Sequence, residues 1–135
     1  MLRFLDRLQP VGLLLLRLGL GAIMIVHGKQ KVFGGMPQFI DAVHKIGFGT
    51  MWAYLAAYTE LIGGVLLVAG LLTRLAAIAV IIDMLVAIVK VHWHAGFTGQ
   101  GNYQFPLALA IMAFALICFG AGPVSLDRVF GGKRR

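Results

Sequence analysis

Four ionisable residues stand inside long apolar stretches of the chain: Arg17, Glu60, Asp83 and Lys90. A charge in the middle of a lipid-embedded helix costs roughly 2.5–3.5 kcal/mol, so such residues usually turn inward and meet a partner. At a rise of about 1.5 Å per residue, Arg17 and Asp83 fall on the same half of the apolar layer, and Glu60 falls near its middle. We therefore predict an intramembrane polar network of these four residues, in which Arg17 pairs with Asp83 or Glu60.

Two interpretations of this network stay open. Two acids that face one deep base leave one acid protonated or shared, and such an arrangement can pass a proton. Alternatively, the charges are clasps that hold the helices in register without doing chemistry. Lys90 also fits an anchoring role, because its long side chain can reach the membrane interface.

A second set of polar residues lies where the apolar stretches end on one side, and we treat it as a candidate outer-side site: His27, Lys31, His92, His94 and Gln104. Residues two apart on a regular helix point about 200° apart, so His92 and His94 cannot chelate one ion together. We therefore predict no metal site. The sequence contains no nucleophile–base motif, phosphate-binding loop or dinucleotide fingerprint, so the catalytic residues, if any, are unknown.

The elements that must position these residues are membrane-spanning helices. The chain is 60% hydrophobic and only 13% charged, too few charges to cover a water-facing surface. Four apolar stretches, each close to the roughly 20 residues that a span needs, cover about residues 11–27, 52–72, 75–93 and 103–122. We predict an all-α membrane protein, a single domain over residues 1–135 that forms an antiparallel four-transmembrane-helix bundle.

Basic residues predict the orientation of this bundle. They concentrate on one side, in both termini and the turn between the second and third stretches: Arg3, Arg7, Arg74, Arg128, Lys133, Arg134 and Arg135. The positive-inside rule then places both termini in the cytoplasm. The net charge of +7 fits anionic lipid headgroups better than nucleic acid, because no single basic patch with interleaved aromatics occurs. In the first connection, residues 28–51, Phe39, Ile40 and Val43 share one face and predict a short interfacial helix.

Several motifs in this order resemble the DoxX family of small bacterial inner-membrane proteins, over residues 13–127. They are Arg17 in the first span, HGKQKVF at 27–33, ELIGG at 60–64, GLLTR at 70–74 and GAGPVSLD at 120–127. The stretches HAGF at 94–97 and GNYQFP at 101–106 resemble the third connection of one subgroup. The chain departs from that pattern at Gln104, where the subgroup often has an acid, and at Val124, where glycine is common.

The resemblance implies a multi-pass inner-membrane protein and a link to quinone-dependent redox or oxidative-stress systems. We therefore expect an accessory or quinone-interacting component, with quinone as the candidate ligand and a membrane or peripheral oxidoreductase as the candidate partner. A homo-oligomer is also compatible with the sequence. Two alternatives remain: a small-molecule or proton-coupled permease with Arg17, Glu60 and Asp83 as its polar path, and a structural membrane scaffold.

Overall fold

The chain is helical throughout the part that the structure describes. The computed structural model describes residues 1–131, and no strand occurs in that range. Its α-helices are α1 (Gln9–Gln30), α2 (Met36–Lys45), α3 (Thr50–Ala69), α4 (Thr73–Val86), α5 (Gln104–Phe119) and α6 (Leu126–Gly131). A 3₁₀ turn, Arg3–Leu8, precedes α1, and α4 continues through Ala87–His92 and Trp93–Ala95. The predicted basic tail residues Lys133, Arg134 and Arg135 lie outside the described residues.

Three continuous helical segments are long and apolar enough to cross a membrane: Arg3–Lys45, Thr50–Ala69 and Thr73–Ala95. The fourth predicted span corresponds to α5, an apolar helix of 16 residues. At 1.5 Å per residue α5 is about 24 Å long, which is less than the roughly 30 Å of hydrocarbon. The all-helical membrane character is confirmed, while a fourth crossing stays a prediction.

Many large apolar side chains lie on the outside of the helices, although Leu20, Leu67 and Leu116 are fully buried. Leu15, Ile82 and Ile111 are each more than half exposed, at 63%, 57% and 61%. Alanines on α3, α4 and α5, among them Ala57, Ala77 and Ala113, are fully buried instead. A soluble protein would rarely leave so much apolar surface uncovered, whereas small residues at helix interfaces are typical of membrane bundles.

Helices α1 and α3 pack with their backbones in contact. A Cβ atom at Gly21 would lie 2.8 Å from the Gly64 carbonyl oxygen, and a Cβ atom at Gly64 would lie 2.7 Å from the Gly21 carbonyl oxygen. A Cβ atom at Gly28 would collide with the backbone of Leu61. The three glycines therefore set the distance between the two helices and bring the end of α1 beside the middle of α3.

The connection between α3 and α4 lies earlier in the chain than predicted and is three residues long rather than two. Helix α3 ends at Ala69 and α4 begins at Thr73, whereas the apolar stretches suggested bounds at 72 and 75. Gly70 ends α3 in the left-handed region (φ 71°), where glycine carries no steric penalty, and Leu72 also has a positive φ of 50°. This tight turn keeps α3 and α4 packed against each other.

The short helix predicted in the first connection is present as α2. Helical torsion angles are interrupted before it at Phe33 and Gly34, where Gly34 has φ 137°. Helix α2 packs against α3 and buries Met36 and Val43. Its position on a membrane interface stays a prediction.

Candidate functional site

The predicted intramembrane network is divided in the structure. Glu60 and Asp83 lie together, but Arg17 lies at another level of the bundle and Lys90 lies apart from both. Glu60 takes its positive partner from the outer-side set instead, because Lys31 reaches it. We call Lys31, Glu60 and Asp83 the carboxyl cluster.

The central contact of the carboxyl cluster is an ion pair between α3 and the segment after α1. The Lys31 ammonium donates to both carboxylate oxygens of Glu60, with Nζ 2.6 Å from Oε1 and 2.7 Å from Oε2. Glu60 is 4% exposed, whereas the Lys31 side chain is 25% exposed. The backbone contact of Gly28 with Leu61 explains this pairing, since Lys31 follows Gly28 by less than one helical turn.

Asp83 adds a second acid to this pair. Asp83 lies close enough to Glu60 and Lys31 for their charges to act on it, and its Oδ2 atom is buried with no hydrogen-bond partner among residues 1–131. One ammonium beside two acids balances only one negative charge. The second acid is an uncompensated charge at a buried site unless it holds or shares a proton. The cluster has the composition of a proton-holding site in a low-dielectric environment.

One aromatic ring, that of Phe39, contacts the carboxyl cluster, and a pair of rings lies near the preceding turn of α1. Lys31 Nζ lies 4.4 Å from the centre of the Phe39 ring on α2, so the two side chains form a cation–π contact. One turn before Lys31, the His27 ring lies 5.6 Å from that of Phe105 on α5. The His27 Nδ1 atom is 2.8 Å from the Ile23 carbonyl oxygen, which can only accept, so Nδ1 carries the hydrogen. In neutral His27 the Nε2 atom is then left as an acceptor.

The pairing predicted for Arg17 was wrong. Arg17 is 2% exposed, and its guanidinium donates to the Ala121 carbonyl oxygen at 2.6 Å rather than to Glu60 or Asp83. The carboxylate whose charge acts on it is Asp127, at the start of α6. Arg17 therefore ties α1 to the chain that follows α5.

Arg17 and Asp127 form a second cluster, which we call the turn clasp. The Asp127 carboxylate accepts hydrogen bonds from the backbone amides of Leu72 at 2.7 Å and Thr73 at 2.9 Å, at the start of α4. Burial raises the pKa of Asp127, but the hydrogen bonds from Thr73 and Leu72 and the nearby Arg17 charge outweigh it and lower the pKa below its usual value. The clasp has the character of a structural fastening, because both charged side chains hydrogen bond to backbone groups.

The remaining outer-side residues stabilise the connection between α4 and α5. His92 Nδ1 donates to the Gly101 carbonyl oxygen at 2.8 Å, and Gln104 Nε2 donates to the Phe97 carbonyl oxygen at 2.6 Å. His94 is exposed. Within residues 1–131, no three His, Cys, Asp or Glu side chains come together as metal ligands.

Lys90 is the member of the predicted network that the structure does not bring to the other three. Its side chain is exposed, and Nζ lies 5.9 Å from the centre of the Phe48 ring. This contact joins the extension of α4 to the connection before α3. It leaves Lys90 outside the carboxyl cluster.

A simple signal in the sequence predicts the meeting of Glu60 and Asp83. Glu60 precedes Gly70 by ten residues and Asp83 follows Thr73 by ten, so a tight turn places them at the same level. No comparable signal marks Lys31 or Asp127, because their partners depend on how α1 and α6 pack on the bundle.

Comparisons with known proteins place these motifs in context. The DoxX family model matches residues 12–93. A Bacillus subtilis protein named "Putative oxidoreductase CatD" is 38% identical over 125 residues, covering 92% of this chain and 91% of its own. A Haemophilus influenzae protein without a described function is 31% identical, covering 96% and 98%, and a Mycobacterium tuberculosis membrane protein is 30% identical, covering 93% and 85%. No solved structure matches.

Proposed function

Because the chain belongs to the DoxX family of membrane proteins, we propose that it is a quinone-binding accessory of a membrane redox system. The carboxyl cluster is the proposed binding site. The printed name of the Bacillus subtilis relative supports a redox role, and it is the name of that protein only. Electrons come from a partner oxidoreductase in this proposal, since no redox centre is evident among this chain's own side chains.

The observation that carries the proposal is the buried, unpartnered Oδ2 atom of Asp83 beside the Lys31–Glu60 pair. A clasp between helices needs one acid and one base, and a second acid with a free buried oxygen makes it less stable. Buried polar atoms without partners are rare in proteins. Arg17 Nε and Thr73 Oγ1 at the turn clasp are two others, and Asp83 Oδ2 differs from them because it belongs to a second acid beside an existing ion pair. The second acid therefore favours a binding site over a purely structural role.

The residues present fit a quinone headgroup. Quinone chemistry, when the ligand is bound, is the acceptance of two electrons and two protons. The Lys31 ammonium donates hydrogen bonds to a carbonyl oxygen, and its partly exposed position keeps one side open to a ligand. In this proposal Glu60 and Asp83 share the proton to be delivered, because one ammonium balances only one of the two acids. The Phe39 ring on α2 supplies flat apolar surface next to these groups.

The membrane arrangement in this proposal is the four-span bundle with both termini in the cytoplasm of the inner membrane. The excess of basic residues at the termini and at the α3–α4 turn supports the cytoplasmic placement of the termini. The contacts between α1 and α3 support an antiparallel arrangement, because Gly21 meets Val68 whereas Gly28 meets Leu61. Later positions on α1 thus meet earlier positions on α3. Helix α5 completes the bundle by packing on α4.

The proposal is tested by purifying the chain from native membranes and measuring bound quinone per protein. We expect the double change Lys31→Met with Glu60→Gln to lower quinone retention about tenfold or more, because a charge-assisted hydrogen bond contributes about 1.5–3 kcal/mol. Removing both charges together avoids an unpaired buried charge. The matched control is Lys45→Met with Asp41→Asn, which removes an acid and a base from α2, outside the cluster. Equal retention by both doubles, or no quinone on the unaltered chain, refutes the proposal.

Proton delivery is tested separately with Asp83→Asn. Asparagine keeps the shape of the side chain but cannot give up a proton. We expect quinone to stay bound while proton uptake upon chemical reduction of the bound quinone slows markedly. An unchanged uptake would remove Asp83 from the proton path and leave the binding proposal standing.

A further inference from the structure

An open cavity lies at the other end of the bundle from the carboxyl cluster. It has a volume of about 650 Å³ and is bounded by the start of α4, the chain after α5 and α6. Arg74 and Arg128 both line it. This volume is within the range of sites that bind small molecules. We call it the hairpin cavity, and since Glu60 precedes Gly70 by ten residues it lies about 15 Å from the proposed quinone site.

The two arginines of the hairpin cavity have no charged partner among residues 1–131. The ion pair found in that range joins Lys31 and Glu60. Asp127 also lines the cavity, but its carboxylate oxygens already accept from the backbone of Leu72 and Thr73. The cavity therefore keeps a net positive charge.

Gly120 lies next to the Arg74 guanidinium at the hairpin cavity. Gly120 has φ 77°, and a Cβ atom there would lie 3.1 Å from Arg74 Nε and 3.2 Å from its Nη2 atom. A side chain at position 120 would displace the guanidinium group. The absence of a Cβ atom at position 120 therefore leaves room for the Arg74 guanidinium beside the cavity.

The rim of the hairpin cavity is apolar and uncovered. Leu75 and Phe119 line it and are 63% and 72% exposed. In a membrane protein such side chains face lipid tails. A ligand that suits this site thus combines an anionic head, which the arginines bind, with an apolar tail that lies along the rim.

We propose that the hairpin cavity binds the phosphate headgroup of an anionic phospholipid, with an acyl chain along Leu75 and Phe119. Arg74 and Arg128 hold the phosphate oxygens, because guanidinium groups match phosphate geometry and lose hydration readily. The site is independent of the proposed quinone function and shares no residue with it.

The test uses the full chain in nanodiscs that contain phosphatidylglycerol and phosphatidylcholine, followed by native mass spectrometry of the lipids that remain bound. We expect the unaltered chain to retain phosphatidylglycerol preferentially. The double change Arg74→Gln with Arg128→Gln should lower its affinity about thirtyfold, since each basic residue near an anionic surface contributes about 1 kcal/mol. The double change Arg3→Gln with Arg7→Gln removes the same charge outside the cavity and should change retention less than about twofold.

Three results would overturn the proposal. The first is equal loss in both doubles, which indicates attraction to the whole surface. The second is no preference for phosphatidylglycerol on the unaltered chain. The third is displacement of the lipid by millimolar inorganic phosphate alone, which indicates a site for the free anion.

A second measurement keeps both arginines and so does not depend on how their variants fold. In Leu75→Trp, brominated phosphatidylglycerol should quench the added fluorescence more than brominated phosphatidylcholine does, after subtraction of the unaltered chain. Equal quenching by the two lipids would contradict a bound anionic lipid at this rim.

Discussion

Substituting one partner of the Lys31–Glu60 pair should lower the free energy of unfolding more than substituting both partners together. Lys31→Met leaves Glu60, which is 4% exposed, facing Asp83 without its cation. Removal of one partner from a buried pair costs about 3–5 kcal/mol. Glu60→Gln strands the Lys31 ammonium, but that side chain is 25% exposed and can turn to water. We therefore expect a smaller cost of about 1.5–3 kcal/mol, set by the lost charge-assisted hydrogen bonds.

The double variant carries neither charge and should cost about 0–2 kcal/mol, because uncharged replacements of similar size are often nearly neutral. The coupling energy, which is the summed cost of the two single changes minus the cost of the double, is then about 5 kcal/mol. The assay is reversible unfolding in mixed micelles, with the denaturing detergent titrated and helical content followed by circular dichroism. Lys90→Met is the control, since this exposed lysine lies outside the cluster, and it should change stability by less than about 0.5 kcal/mol. Single costs that simply add, within about 0.5 kcal/mol, would refute the pairing.

Two further predictions concern packing and pH. Gly28→Ala should destabilise the chain by about 1–3 kcal/mol or more, because the new methyl group meets the backbone of Leu61. Gly19→Ala has open space around the new methyl group and should stabilise α1 by about 0.5–1 kcal/mol. Similar melting temperatures for the two variants would contradict the close contact. The pKa of Asp127 is lowered by hydrogen bonds that include that of Thr73, so its stabilising effect is present above its ordinary value of about 3.9 and is lost as the pH falls through the lowered value. Melting curves from pH 7 to pH 3 should therefore fall less steeply for Asp127→Asn than for the unaltered chain, and parallel curves would exclude this residue as the source.

Helical phase and depth were enough to predict that Glu60 and Asp83 point into the protein. Small residues share one face of α3 with Glu60, and the tight turn at Gly70 makes their common level a matter of counting. The partner of Glu60 could not be predicted in the same way. Lys31 lies beyond the first apolar stretch, and it reaches Glu60 only because Gly28 lets α1 approach α3 so closely.

For Arg17 the sequence predicts the burial of the side chain but not its partners. Its burial was predictable, because lipid does not tolerate an exposed guanidinium in the middle of a span. Its partners, the Ala121 carbonyl oxygen and the charge of Asp127, are more than 100 residues away along the chain. A backbone carbonyl leaves no signature in the sequence, and Asp127 stands in a short polar segment that resembles an ordinary helix start.

The sequence by itself determined the helical, membrane-embedded character of this protein and the inward position of Arg17, Glu60 and Asp83, but not that of Lys90, which is exposed. Both follow from transfer energies, which depend on residue type and helical period alone. Only the tertiary structure decided how the charges are shared between two clusters, with Lys31, Glu60 and Asp83 in one and Arg17 and Asp127 in the other. That division depends on the glycine contacts between α1 and α3 and on the chain after α5, because ion pairs act over a few ångströms and helix packing sets those distances.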